Sequence, residues 1–232
     1  MKLIKLGLIM VSLFTSATTL AQSATNSIFI EQVGDSSTIV IEQSGNTNTV
    51  GDTGTDTTFV LNGNSQTIAI SQQGNSNSLD GNITGNNIDA DVLVTGSTND
   101  IDLAIGGTGS AAGSTLDLDV TGDGNTVALT QGALNSATNA TQTIAITGDF
   151  NTLNGTVETD DVVNTMTVVG DSNNMTTTQS GYAGKNIDMT LTGSTNTVNI
   201  EQKSTTVVDS ITIDSTSSNS NITISQCDSG GC

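Results

Sequence analysis

This 232-residue chain has no histidine, arginine, tryptophan or proline, two cysteines, and aromatics at only 2% of its residues. Without histidine there is no Ser-His-Asp or Cys-His arrangement for nucleophilic catalysis and no imidazole to hold a metal. Four lysines against 23 acids give a net charge of −19. A phosphate-binding groove has almost nothing to build on, so nucleic-acid binding is not expected; nor does any motif lead us to expect a small-molecule substrate or a cofactor. Proline cannot donate to a strand ladder, so its absence suits strands hydrogen-bonded on both sides. With few aromatics and mainly Ile, Val and Leu, a bulky globular core is excluded in favour of a narrow one between stacked sheets.

What the chain has is repetition. In Asn186 to Gln202, Ile187, Met189 and Leu191 alternate with polar residues, Gly193 to Asn196 interrupt, and Val198 and Ile200 resume before Gln202. Period-two alternation on either side of a glycine reads as strand, turn, strand. The pattern Gly-x-x-Asn-x-apolar-x-apolar-x-Gln recurs from Gly122 (Asn125, Gln131) and Gly193 (Asn196, Gln202). Looser copies start at Gly34 (Gln43), Gly63 (Gln72), Gly96 (Asn99), Gly148 (Asn151) and Gly170 (Asn173, Gln179), and a copy ending at Gln226 has lost its glycine. Eight copies predict one elongated all-β domain, a β-solenoid of about eight stacked arcs. The inner turn has the fixed length. Ser78 to Ala90 and Ile105 to Ser114 are expected as surface loops on the opposite edge.

Stacked in register, the arcs place Ile39 and Ile41 over Ile68 and Ile70. Like amides can donate NH₂ to the carbonyl of the next rung. Gln43, Gln72, Gln131, Gln179, Gln202 and Gln226 are expected to form one ladder. Asn99, Asn125, Asn151, Asn173 and Asn196 form another beside the turn glycines. Asp35, Asp123, Asp149 and Asp171 follow those glycines and would repel one another if stacked.

Three segments follow. Met1 to Ala21 has Lys2 and Lys5, an apolar run from Leu6 to Phe14 and a small-residue end, and reads as a secretory leader cleaved before Gln22. Residues 22–226 are the repeat array. Residues 227–232 are a loop in which Cys227 and Cys232 are expected to pair locally in an oxidising compartment, with pairing between chains as the alternative.

The Gln/Gly/Asn positions of these exported repeats resemble the curlin family, the subunits of bacterial curli fibres. That family's repeat runs Ser, five residues, Gln-x-Gly-x-x-Asn-x-Ala, three residues, Gln. Ser37, Gln43, Gly45, Asn48 and Val50 follow its first half, with valine in place of alanine; Gly122, Asn125, Val127 and Gln131 follow its second. The resemblance implies an extracellular, non-enzymatic fibre subunit of biofilm and adhesion, with itself, a nucleator and an outer-membrane secretion channel as partners. The longer N-terminal export-targeting segment of the family is not evident between Gln22 and Ser27. A monomeric exported adhesin, with calcium at turns such as Gly122-Asp123-Gly124-Asn125, is the alternative.

Overall fold

The computed structural model describes residues 16–22, 27–45, 47–51, 59–74, 76–96, 98–106, 112–122, 124–131, 139–148, 150–158, 162–170, 172–180, 185–193, 195–203, 210–216 and 219–227. All their regular structure is strand. In chain order these are β1 (Ser16–Gln22), β2 (Glu31–Val33), β3 (Thr38–Ser44), β4 (Phe59–Asn62), β5 (Thr67–Gln73) and β6 (Leu79–Thr84). Next come β7 (Asp89–Thr95), β8 (Ile101–Ile105), β9 (Thr115–Thr121), β10 (Val127–Gln131), β11 (Ala140–Thr147) and β12 (Leu153–Glu158). The last are β13 (Val162–Val169), β14 (Met175–Ser180), β15 (Asn186–Thr192), β16 (Val198–Lys203), β17 (Ser210–Ser215) and β18 (Ile222–Cys227).

Odd-numbered strands form one nine-stranded sheet and even-numbered strands another, each in unbroken sequence order. Every pairing within a sheet is parallel, because consecutive strands cross from one sheet to the other and return one rung further on. This is the β-solenoid that the alternation predicts. At about 4.8 Å per rung, nine rungs span roughly 40 Å.

Alternation decides what lies between the sheets. In β7, Ala90, Val92 and Val94 are buried while Asp89, Asp91, Leu93 and Thr95 face out. Like side chains stack along the axis: Ile39 lies opposite Ile68 and Ile41 opposite Ile70, as expected. The aliphatic side chains of both sheets make one continuous core. Each fully buried Ile, Leu or Val contributes about 1.5–3 kcal/mol, so burial supplies the drive and register is the form it takes.

One expected loop is a strand. Within Ser78 to Ala90 lies β6, whose inward positions are Leu79, Gly81 and Ile83. Gly81 hides the alternation and is there for a packing reason. A Cβ on it would sit 2.9 Å from Leu103 Cδ1 and 3.2 Å from Phe59 Cδ1, so the Leu103 and Phe59 side chains on the two flanking rungs fill the space a side chain would need. Within Ile105 to Ser114, residues 107–111 lie outside the described residues.

Because β6 adds one crossing, the seven glycines of the sequence pattern do not form a single column. Gly34 and Gly63 stack with Gly85 at turns running from the even sheet to the odd one. Gly96, Gly122, Gly148, Gly170 and Gly193 stack with Gly45 and Gly74 on the opposite edge.

Ser16–Gln22, the last six residues of the expected leader and the residue after them, is paired as β1 along the edge of β3, with Ala17 opposite Ile39 and Thr19 opposite Ile41. At the far end Cys227 is disulfide-bonded. The chain's other cysteine, Cys232, lies outside the described residues.

Candidate assembly site: amide ladders and open ends

Five asparagines were expected beside the long glycine column; seven stand there. Asn77 donates Nδ2 to Asn48 Oδ1 at 2.7 Å, Asn99 to Asn77 at 2.6 Å, Asn125 to Asn99 at 2.5 Å, Asn151 to Asn125 at 2.6 Å and Asn173 to Asn151 at 2.5 Å. Asn196 continues to Asn173. All seven are buried. Every donor points one rung toward the N terminus, so the ladder has a direction. At the last rung Ser220 Oγ takes the donor's place, 3.3 Å from Asn196 Oδ1.

Closeness rather than torsion requires Gly96, Gly122, Gly148, Gly170 and Gly193 beside them, whereas Gly45 and Gly74 also take positive φ, 137° and 152°. A Cβ on Gly122 would lie 1.4 Å from the carbonyl oxygen of Gly96, and one on Gly148 would lie 1.5 Å from that of Gly122. Those oxygens are backbone and cannot swing away. On the opposite edge the corner is of another kind: Ser36, Ser65 and Asn87 have φ between 54° and 58°. Small polar side chains tolerate that left-handed region best after glycine.

That edge has its own exposed ladder. Asn64 N donates to Asp35 Oδ1 at 2.6 Å and Asn86 N to Asn64 Oδ1 at 2.9 Å. Asp35 therefore stacks against an asparagine, and the expected repulsion with other acids does not arise there. Asp123, Asp149 and Asp171 lie outside the described residues.

The glutamines do not make one ladder. Gln43 and Gln72 are neighbours in the odd sheet, joined by Gln72 Nε2 donating to Gln43 Oε1 at 2.7 Å. Both also reach the backbone past the turn, Gln43 at Thr49 O and Gln72 at Ser78 O. Gln131, Gln179, Gln202 and Gln226 lie in the even sheet, where Val157 separates Gln131 from Gln179. Gln179 Nε2 donates to Gln202 Oε1 at 2.5 Å, and Gln226 is opposite Gln202. Asn164, from the odd sheet, donates to Gln179 Oε1 across the core. Gln131 Nε2 and Oε1 are buried with no partner. An aliphatic pattern with glutamine at the strand end does not reveal which sheet a copy belongs to, and the missed β6 exchanged the two.

The ends differ from the middle. Ile211 and Ile213 of β17 are only partly covered, while Ile222 is 39% and Ile224 49% exposed in β18. Their column mates one rung in, Val198 and Ile200, are fully buried. The outer faces carry acids in register, Asp91 opposite Asp117 and Asp80 opposite Asp102. Burial, with Asp119 and Asp91 nearby, raises the Asp117 carboxyl above its ordinary value of 3.8, and burial with Asp102 and Asp100 does the same to Asp80. No group of three or more His, Cys, Asp or Glu side chains is placed to hold a metal among the described residues.

No protein-family model, curated protein or solved structure matches the chain.

Proposed function

We propose that the chain is an exported, non-enzymatic structural subunit that joins end to end with its own copies into a curli-like amyloid fibre, serving a surface matrix and adhesion. The observation that carries this reading is the unfinished last rung. Among the described residues β17 and β18 are the last strands of their sheets, and Ile222 and Ile224 offer apolar surface where their column mates Val198 and Ile200, one rung in, are buried. An open edge on a parallel stack templates a further strand unless something caps it. The contact joins unlike ends, so addition continues as a filament and does not close into a ring. The resemblance to curlin repeats supports the same reading and brings with it a nucleator and an outer-membrane secretion channel as partners.

A second reading is a monomeric surface adhesin. It draws on the disulfide at Cys227, which terminates β18 where an addition would begin. Seeding separates the two. Secreted chain mixed with sheared fragments of its own fibres should grow thioflavin-positive filaments without a lag. A monodisperse monomer that persists for days with seeds present would favour the adhesin.

A further inference from the structure

Each inward position of a solenoid belongs to a column running the length of the stack, so the two end rungs can be compared column by column. In the even sheet one column reads Gln226, Gln202, Gln179, Val157, Gln131, Ile105, Ile83, Leu61 and Gln32. It begins and ends on glutamine. The neighbouring column runs from Ile224 through Ile200 and Thr177 to Phe59, beyond which stands Ile30, whose carbonyl accepts from Val60 N. The column after that runs from Ile222 to Leu79, next to which Val50 N donates to Ser78 O, and at the front Ile28 is buried two residues before Ile30.

Resting on the fibre reading, we propose that the junction between copies is β18 of one against β2 of the next, with Ile222 meeting Ile28, Ile224 meeting Ile30 and Gln226 meeting Gln32. Three columns then cross the boundary on like residues. Gln202 Nε2, buried and without a partner one rung inside Gln226, marks where the glutamine run stops short in a single chain. A glutamine stacked on Gln226 holds that side chain in the column and lets the run continue.

The rival seam is β17 against β3. It would place Ile211 and Ile213 on Ile39 and Ile41, but Ser215 on Gln43, and on the outer face Asp214 on Glu42. That seam breaks the glutamine pair and stacks two acids.

The two seams exclude each other by strand count. Each sheet has nine strands, and the ninth of the odd sheet is β1. Seating β18 on β2 leaves one strand position between β17 and the next copy's β3, the position that β1 holds in this structure. The cleavage expected before Gln22 would remove Ser16 to Ala21 of β1 and leave eight full odd strands against nine even ones. The two ends are also unequal in access: Ile28 and Gln32 are buried, whereas Ile222, Ile224 and Gln226 are exposed. The back rung is thus the receptive end.

Stacked parallel strands hold facing Cα atoms about 4.8 Å apart, within disulfide reach. The test mixes secreted chains in a background with Cys227→Ser and Cys232→Ser, one carrying Ile224→Cys and the other Ile30→Cys. Oxidation should link this pair at least tenfold more than Ile213→Cys with Ile41→Cys, and more than Ile224→Cys with Thr156→Cys. Preferred linkage at 213 and 41, or none above the 156 control, would overturn the junction. Linkage at 224 and 30 without fibres would keep the junction and sink the fibre reading; fibres without that linkage would do the reverse.

Discussion

Asn125 donates Nδ2 to Asn99 Oδ1 at 2.5 Å and accepts from Asn151 Nδ2 at 2.6 Å, so one buried amide joins three successive rungs. Replacing it by alanine removes both bonds and orphans the buried Asn99 Oδ1, while Asn151 Nδ2 keeps its bond to Gly148 O at 2.9 Å. An orphaned group of this kind costs about 1–3 kcal/mol. Asn125→Ala should therefore lower the unfolding free energy by about 1–3 kcal/mol in urea titration. Thr156→Ala, at a half-buried outer position, should change it by less than about 0.5 kcal/mol.

Two glycines separate closeness from mere smallness. At Gly148 a Cβ would lie 1.5 Å from a backbone oxygen, whereas at Gly155 it would find only Thr177 Cγ2 at 3.9 Å and Met166 Cε at 4.0 Å. Gly148→Ala is expected to split the stack at that rung and cost more than about 3 kcal/mol. Gly155→Ala should stay within about 1 kcal/mol of the parent, of either sign. Thermal melts followed by circular dichroism compare them directly.

The acidic faces set the pH dependence. Asp117 and Asp80 have carboxyls raised above 3.8 in the fold, so the folded chain holds protons more tightly than the unfolded one. Their contribution to stability is fully present below 3.8 and is lost as pH rises through the raised folded values. The melting midpoint should climb on acidification from pH 7 toward 4. Asp117→Asn should raise the midpoint at pH 7 and flatten that slope; an unchanged slope would show that these carboxylates do not govern it.

Gln131 is the amide that the ladders do not serve. Its register neighbours are Ile105 and Val157, and neither of its polar atoms finds a partner. Gln131→Leu relieves about 1–3 kcal/mol of unpaired polarity in a column that is aliphatic on both sides. For a domain of this size that corresponds to a melting midpoint higher by roughly 2–12 °C. The same change at Gln72, which donates to Gln43 and to Ser78, should lower it.

The fold was legible because each rung repeats the same two demands, an aliphatic inward face and a corner without a Cβ. The asparagine ladder was legible for the same reason, since an amide three residues after a turn glycine recurs at Asn99, Asn125, Asn151, Asn173 and Asn196. Asn48 and Asn77 stand three residues after Gly45 and Gly74, and that spacing would have found them. What misled was β6. A glycine at an inward position breaks alternation, and only Leu103 and Phe59 on the flanking rungs, both distant in sequence, explain it. One lost strand then moved Gly34 and Gly63 to the wrong edge and merged two glutamine runs from opposite sheets. Phase in a two-sheet solenoid is a property of the whole array, and a local pattern does not carry it.

The central claim is that chains add end to end with their rungs perpendicular to the fibre axis. Mass per length measured on unstained fibres tests this most directly. Nine rungs at about 4.8 Å predict one chain for each roughly 43 Å of filament, or an integral multiple for laterally paired filaments. Two or more chains sharing each rung in a single filament, or a secreted chain that stays monomeric when seeded, would contradict it.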